Sequence, residues 1–421
     1  MNARIRQDAL VLSRTPAAIG SLVGGGSILP AATNSVNSAN LGTFNFALGT
    51  FGPFNGFRFI YANHTNTPAL VDNACGGTSS TAFPGGIFNI ALPESGWSAP
   101  TGPVSIPAAV GASQSARDKN PGLALSPLIP GKSIPRAPGE LDGGRTELII
   151  GRAVFLESNT NGTYTTLSDN FPASWDPINN GISVLTAERT YGSDTVTSPG
   201  DMPTSVRETL AAINIVGVVP VYDQPRLCVG GPGDSVAAGM ASTSTAIGAP
   251  FAFKAVSRLA AAGSLVSFLQ AGLSGSPQTA INARAHSLAA LNIIDIMPLA
   301  CYTINSPVAA QKDWDAQWSL TLDAVQAQLN QRATNQVILQ TPLPNDSFNT
   351  AQNNFRAKQR NRCLALAAAL PRISIVDYDV MTNTATGHFL HAEDTVDGTH
   401  MTDSGNERAS IPFQTALERL L

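Results

Sequence analysis

The chain has 421 residues and a net charge of -4, and only 13% of its side chains are charged, about half the share usual in globular proteins. One core rarely serves so long a chain, so two domains are expected. The charge balance argues against a nucleic-acid partner, because no basic stripe is available to neutralise phosphates. No apolar run is long enough to span a membrane, so none is expected.

The neutral polar surface suits an exported protein or a large assembly. Met1 to Arg14 lacks the apolar core of a signal peptide, so a removed leader or release by cell lysis is expected. Residues 1–42 are rich in Ala, Gly, Ser and Asn with little hydrophobic period, and read as an N-terminal arm that could dock on a partner, a second copy or a virion. Residues 43–222 read as all-β. Thr43 to Leu48 and Phe57 to Tyr61 alternate with period two, and further strand-like runs follow at Ile87 to Leu92, Val104 to Val110, Thr146 to Leu156 and Gly162 to Leu167. Pro, Gly and Asn interrupt them, which favours a sandwich or jelly roll.

From residue 223 the period changes. Leu227 to Val229 reads as a strand ending at Gly230-Gly231-Pro232-Gly233, followed by a helix from Phe251 to Ala262 and a strand from Leu265 to Leu269. Gln278 to Leu291 is a helix, Ile293 to Ala300 a buried strand and Ala309 to Gln331 a long helix. Val337 to Gln340, Gln352 to Leu370 and Ile373 to Tyr378 continue as strand, helix and strand. A last helix is expected over Asp403 to Leu420, with Ser404 as its cap. This alternation predicts a three-layer α/β domain over residues 223–421, with a parallel sheet between helices and ligands bound at the carboxyl ends of the strands.

Two short motifs in this half carry chemistry: Gly233-Asp234-Ser235 after the first strand and Asp397-Gly398-Thr399-His400 before the last helix. Together they supply a hydroxyl, an imidazole to take its proton and a carboxylate to orient the imidazole. Taken alone, each is more often an ordinary turn. With them stand Gly275, in the loop Gln270 to Gly275, and Asn305, in Tyr302 to Ser306, also at expected strand ends. The four positions in this order resemble the sequence blocks of the SGNH, or GDSL, hydrolases. The resemblance covers the C-terminal half, but the Gly and Asp that usually flank the family's asparagine are absent here. It implies a flavodoxin-like hydrolase fold and a site in which Ser235 attacks, His400 moves the proton and Asp397 orients the ring. The oxyanion would be held by the amides of Ser235 and Gly275 and the side chain of Asn305. Losing one such donor costs about 2.7 to 4 kcal/mol in the transition state, so Asn305→Ala is expected to be a severe but incomplete loss.

Other candidates are weaker. His388 and His391 with Glu393 and Asp394 suggest a metal site, but no third cluster completes it, so no metal and no organic cofactor is expected. Asp394 rivals Asp397 as the orienting acid without its spacing. His64 and His286 read as structural. Among Cys75, Cys228, Cys301 and Cys363, three sit in apolar stretches and read as buried free thiols. Ser235 is also expected to open a helix whose dipole favours negative charge.

The expected activity is serine ester hydrolysis, with an O-acetyl group on a carbohydrate as the leading substrate and a virion or secreted protein as the setting. Its rivals are a lipolytic esterase and a glycan-binding or structural protein that keeps the hydrolase fold as a scaffold.

Overall fold

The computed structural model describes residues 32–35, 40–63, 66–78, 104–113, 116–117, 120–130, 134–135, 147–157, 163–166, 184–190, 215–237, 239, 250–272 and 275–421. They belong to two compact units, which divide between Arg226 and Leu227.

The described part of the first unit is built of antiparallel strands. They are β1 (Ala32–Ser35), β2 (Asn40–Thr50), β3 (Phe54–Asn63), β4 (Ala69–Thr78), β5 (Val104–Ile106), β6 (Gly122–Leu125), β7 (Ile129–Pro130), β8 (Ile134–Pro135), β9 (Glu147–Glu157), β10 (Thr163–Thr166), β11 (Val184–Thr190) and β12 (Ile215–Tyr222). One sheet runs β11-β2-β9-β4-β5 with β8 on β9, a second runs β12-β3-β6 with β7 on β3, and β1 pairs with β10. Strand β1 lies within the residues expected to form an arm. The run expected at Ile87 to Leu92 and His64 lie outside the described residues. Strands β4 and β12 escape a reading by alternation because Asp, Asn and Gly interrupt the first, and Gly217 and Pro220 the second, whose pairing shifts register twice. In β3, Phe57, Phe59 and Tyr61 are all buried on one side of the strand, with Phe57 and Phe59 in edge contact at 5.3 Å.

The second unit alternates strand and helix. Its strands are β13 (Leu227–Gly233), β14 (Val266–Gly272), β15 (Ile296–Ala300), β16 (Gln336–Gln340) and β17 (Ile373–Val376). Its helices are α1 (Phe251–Ala261), α2 (Gln278–Leu291), α3 (Gln311–Gln331), α4 (Thr350–Ala369) and α5 (Asp403–Glu418). The sheet is parallel, in the order β14-β13-β15-β16-β17. In this order the chain reverses direction across the sheet at β13 and β15, which opens a crevice at their carboxyl ends. Helix α1 packs on α5, while α2 packs on α3 and α3 on α4. The α1–α5 contact is pinned by Phe251, whose ring meets Phe413 at 5.7 Å and Tyr378 at 5.9 Å. Each such fully buried ring contributes about 1.5–3 kcal/mol.

Strand β13 does not stop at Val229 as expected but runs on through Gly230-Gly231-Pro232 to Gly233. A Cβ at Gly230 would lie 2.6 Å from the Leu269 carbonyl oxygen, and one at Gly231 2.8 Å from that of Pro298. The paired glycines thus let the strand pass close to both neighbours. Pairing of Gly233 with Gly272 keeps the ends of β13 and β14 level. The last helix is capped by Thr402, whose hydroxyl accepts from the Gly405 N–H at 3.1 Å; Ser404, the expected cap, instead donates to Asp394. Threonine one residue before the helix has the extended backbone a cap requires.

Candidate active site

The end of β13 delivers Ser235 into a turn. The Asp234 carboxylate shapes it, accepting from the Val236 N–H at 3.0 Å and the Ala237 N–H at 3.4 Å. The helix expected to begin at Ser235 is not there among the described residues: 235–237 form the turn, and α1 begins only at Phe251. The backbone at Ser235 is set by the aspartate-capped turn rather than by a helix terminus.

The second motif comes from the segment before α5. Thr395 and Met401 pair across it, and Gly398 turns it with φ +80°. Asp397 Oδ1 accepts from the Thr399 N–H at 2.9 Å and the His400 N–H at 2.7 Å, closing a tight turn. Its other oxygen, Oδ2, lies 2.7 Å from His400 Nδ1, and His400 Nε2 lies 2.9 Å from Ser235 Oγ. Serine, histidine and aspartate therefore form one hydrogen-bonded row, although 165 positions separate the first two. Ser235 is buried, and the His400 and Asp397 side chains are 28% and 43% exposed.

Electrostatics fix the tautomer. Burial alone raises the Asp397 carboxyl's pKa, but hydrogen bonds from the His400 N–H, the His400 ring and the Thr399 N–H outweigh it and hold the group below the ordinary carboxylate range. An ionised carboxylate only accepts, so Nδ1 carries the ring proton and Nε2 presents a lone pair to the Ser235 hydroxyl. This arrangement suits proton abstraction from the serine.

The other sequence-selected residues fall nearby. Gly275 follows β14 with φ +69°, a conformation that favours glycine, and a Cβ there would meet nothing within 4 Å, so the backbone rather than space selects it. Asn305 follows β15. Its Nδ2 donates to Thr303 Oγ1 at 3.2 Å and its backbone N–H to the same oxygen at 3.3 Å, while Thr303 Oγ1 donates to Asp234 Oδ2 at 2.6 Å. Thr303, fully buried, thus ties the asparagine to the residue beside the nucleophile.

Sequence reasoning missed Thr303, Ser276 and Arg284. Arg284 is 2% exposed, and its Nη2 donates to the Gly233 carbonyl and to Ser276 Oγ, each at 2.8 Å. Burial lowers its pKa to about 10, and the Asp234 carboxylate opposes the shift. The signal was present: Ile281, Arg284, Ala285 and Leu288 share the buried stripe of α2, where a cation is out of place.

The weaker candidates lie apart from this row. Asp394 is buried and bound by Arg408 and Ser404, so it anchors α5 rather than orienting His400. His388 Nε2 contacts the Phe348 carbonyl and His391 lies 3.9 Å from Glu393. No group of three or more His, Cys, Asp or Glu among the described residues could hold a metal. His286 pairs with Asp323 on the surface, and Cys228, Cys301 and Cys363 are buried free thiols. No helix among the described residues is long and apolar enough to cross a membrane.

A cavity of about 40 Å³ opens beside the row, lined by chain neighbours of the triad (Asp234, Val236, Thr399) and by Ala300, Ile304 and Leu343.

No family model and no curated protein matches the sequence. Solved structures similar to the C-terminal half include esterases, an acylhydrolase and a GDSL-like lipase. An aryl esterase from M. smegmatis is 14% identical, with the match covering 47% of this chain and 100% of that one at a TM-score of 0.36. A GDSL-like lipase from Bacteroides thetaiotaomicron is 17% identical over 46% of this chain and 89% of its own, TM-score 0.35. An acetyl xylan esterase from Geobacillus stearothermophilus is 17% identical over 46% and 94%, TM-score 0.34.

Proposed function

We propose that the unit from Leu227 to Leu421 is a serine ester hydrolase that removes short acyl groups, foremost O-acetyl groups on a carbohydrate. The observation that carries this is the continuous row Ser235 Oγ–His400 Nε2 at 2.9 Å and His400 Nδ1–Asp397 Oδ2 at 2.7 Å. In this reading Ser235 Oγ attacks the acyl carbonyl as its proton passes to His400 Nε2. The tetrahedral oxyanion is met by the amides of Ser235 and Gly275 and by Asn305. Asn305 has a second Nδ2 hydrogen beyond the one given to Thr303. Collapse expels the alcohol, which takes the proton from His400, and leaves the acyl group on Ser235. Water, deprotonated by His400, then releases the acid and restores the hydroxyl.

The apolar cavity beside the row, lined by Ala300, Ile304 and Leu343, supports a short acyl group as the part of the ester held there. The carbohydrate carrier, an all-β sandwich or jelly-roll domain ahead of the hydrolase unit, and a virion-associated or secreted setting belong to the same proposal. They rest on the strand-rich first unit and the weakly charged surface.

The test is acetate release from p-nitrophenyl acetate and from acetylated polysaccharides. Wild type should turn over, Ser235→Ala should not, and the variant should unfold at the same temperature. Wild type inactive on acetyl, butyryl and acetyl-glycan esters alike would sink the reading.

A further inference from the structure

Arg284 is a buried cation whose hydrogen-bond partners are both neutral. Its Nε and Nη1 have no hydrogen-bond partner among the described residues. Burying an ion this way costs several kcal/mol, and a neutral amide could bridge two oxygens more cheaply. The partners explain what the guanidinium achieves. Gly233 ends β13 two residues before Ser235, and Ser276 directly follows Gly275. One nitrogen, Nη2, therefore holds together the two backbone segments whose amides face the oxyanion in the proposed reaction. The two N–H bonds of this nitrogen have directions fixed by the guanidinium plane, whereas those of an ammonium rotate freely about its stem.

We propose that Arg284 is a positioning residue: it locks the end of β13 to the Gly275 loop so that the Ser235 and Gly275 amides converge on one oxyanion. The inference rests on the ester-hydrolase reading above. Arg284 does not touch the reacting atoms. Its effect is exerted through the placement of the two amides, which matters more to the tetrahedral state than to the bound ester. A misplaced donor therefore lowers kcat and leaves KM nearly unchanged.

The experiment compares wild type, Arg284→Met, Arg284→Lys and Ser276→Ala on p-nitrophenyl acetate, with thermal unfolding recorded for each. The inhibition constant of a boronic acid that forms a tetrahedral adduct on the serine is measured alongside. Arg284→Met should lose about 100-fold in kcat with KM within about threefold, and the boronate should weaken in step with kcat/KM. Arg284→Lys should recover roughly tenfold of that loss, and Ser276→Ala, which keeps the Gly233 bond, should lose about tenfold. A folded Arg284→Met with kcat within about threefold of wild type, or a loss carried by KM with boronate affinity unchanged, overturns the proposal. Should Arg284→Met fail to fold, Ser276→Ala decides, and an unchanged kcat there overturns it. An inactive wild type instead refutes the ester-hydrolase reading beneath it, so the two failures are distinguishable.

Discussion

Replacing Thr303 by valine keeps the shape of a fully buried side chain and removes one oxygen. That oxygen donates to Asp234 at 2.6 Å and accepts from the Asn305 backbone and side chain at 3.3 and 3.2 Å. A hydrogen bond to a charged group contributes about 1.5–3 kcal/mol. The two longer bonds add less, since Asn305 is exposed and water can replace part of them. The expected destabilisation is about 2–4 kcal/mol, or a fall in Tm of roughly 4–16 °C for a unit of this size. Activity should respond separately. With its tether gone, the Asn305 amide no longer has a fixed direction, and part of the 2.7–4 kcal/mol due to an oxyanion donor is lost, giving a fall in kcat of about 10–100-fold. Steady-state hydrolysis of p-nitrophenyl acetate measures the rate and thermal unfolding the stability. Thr303→Ser, which keeps the hydroxyl, should stay within about threefold of wild type. A folded Thr303→Val protein with unchanged kcat would refute the reasoning, because Asn305 would then be oriented by something else.

Asp397→Asn should keep the turn, since an amide oxygen still accepts from Thr399 and His400, but its NH₂ then donates to Nδ1, which places the ring proton on Nε2 and lowers kcat by about 10³–10⁴-fold. Because the native carboxyl is held below its ordinary range, its contribution to stability is present above the unfolded value of about 3.9 and lost as pH falls through the lower folded value. The Tm difference between wild type and Asp397→Asn seen near neutrality should therefore close at strongly acidic pH, and a difference that persists there would contradict the assignment. Leu343→Ala widens the cavity beside the triad and should shift the ratio of butyryl to acetyl turnover upward by about 10-fold, one or two methylenes being worth roughly 1–3 kcal/mol; an unchanged ratio in a p-nitrophenyl ester series would mean that the acyl group binds elsewhere.

Much of the second unit was legible because its helices and strands differ in period, and because Ser235, Asp397 and His400 sit in short motifs whose internal spacing sets their geometry. Asp397 reaches His400 through a three-residue turn, so proximity in sequence becomes proximity in space. Thr303 and Arg284 were not legible in the same way. The bonds that matter span 69 and 51 positions and are closed only by the parallel ladder; a threonine announces no role, and the arginine shows only as a cation out of place on the buried stripe of α2. At Ser235 the described residues 235–237 form a turn where a helix was expected, because Asp234 bonds forward to two backbone amides there. In the first unit, alternation found β2, β3, β5, β9 and β10 but passed over others, among them β4 and β12, which glycine, proline and asparagine interrupt.

The glycines at 230 and 231 have a bearing on how this chain can change over time. What a side chain there would strike first is main-chain oxygen, at Leu269 and Pro298, with the Leu269 Cβ and the Met297 side chain close behind. A crowded side chain is negotiable, because its neighbour can mutate to something smaller. A crowded carbonyl offers no such exchange. Descendants that keep this sheet must therefore keep both glycines.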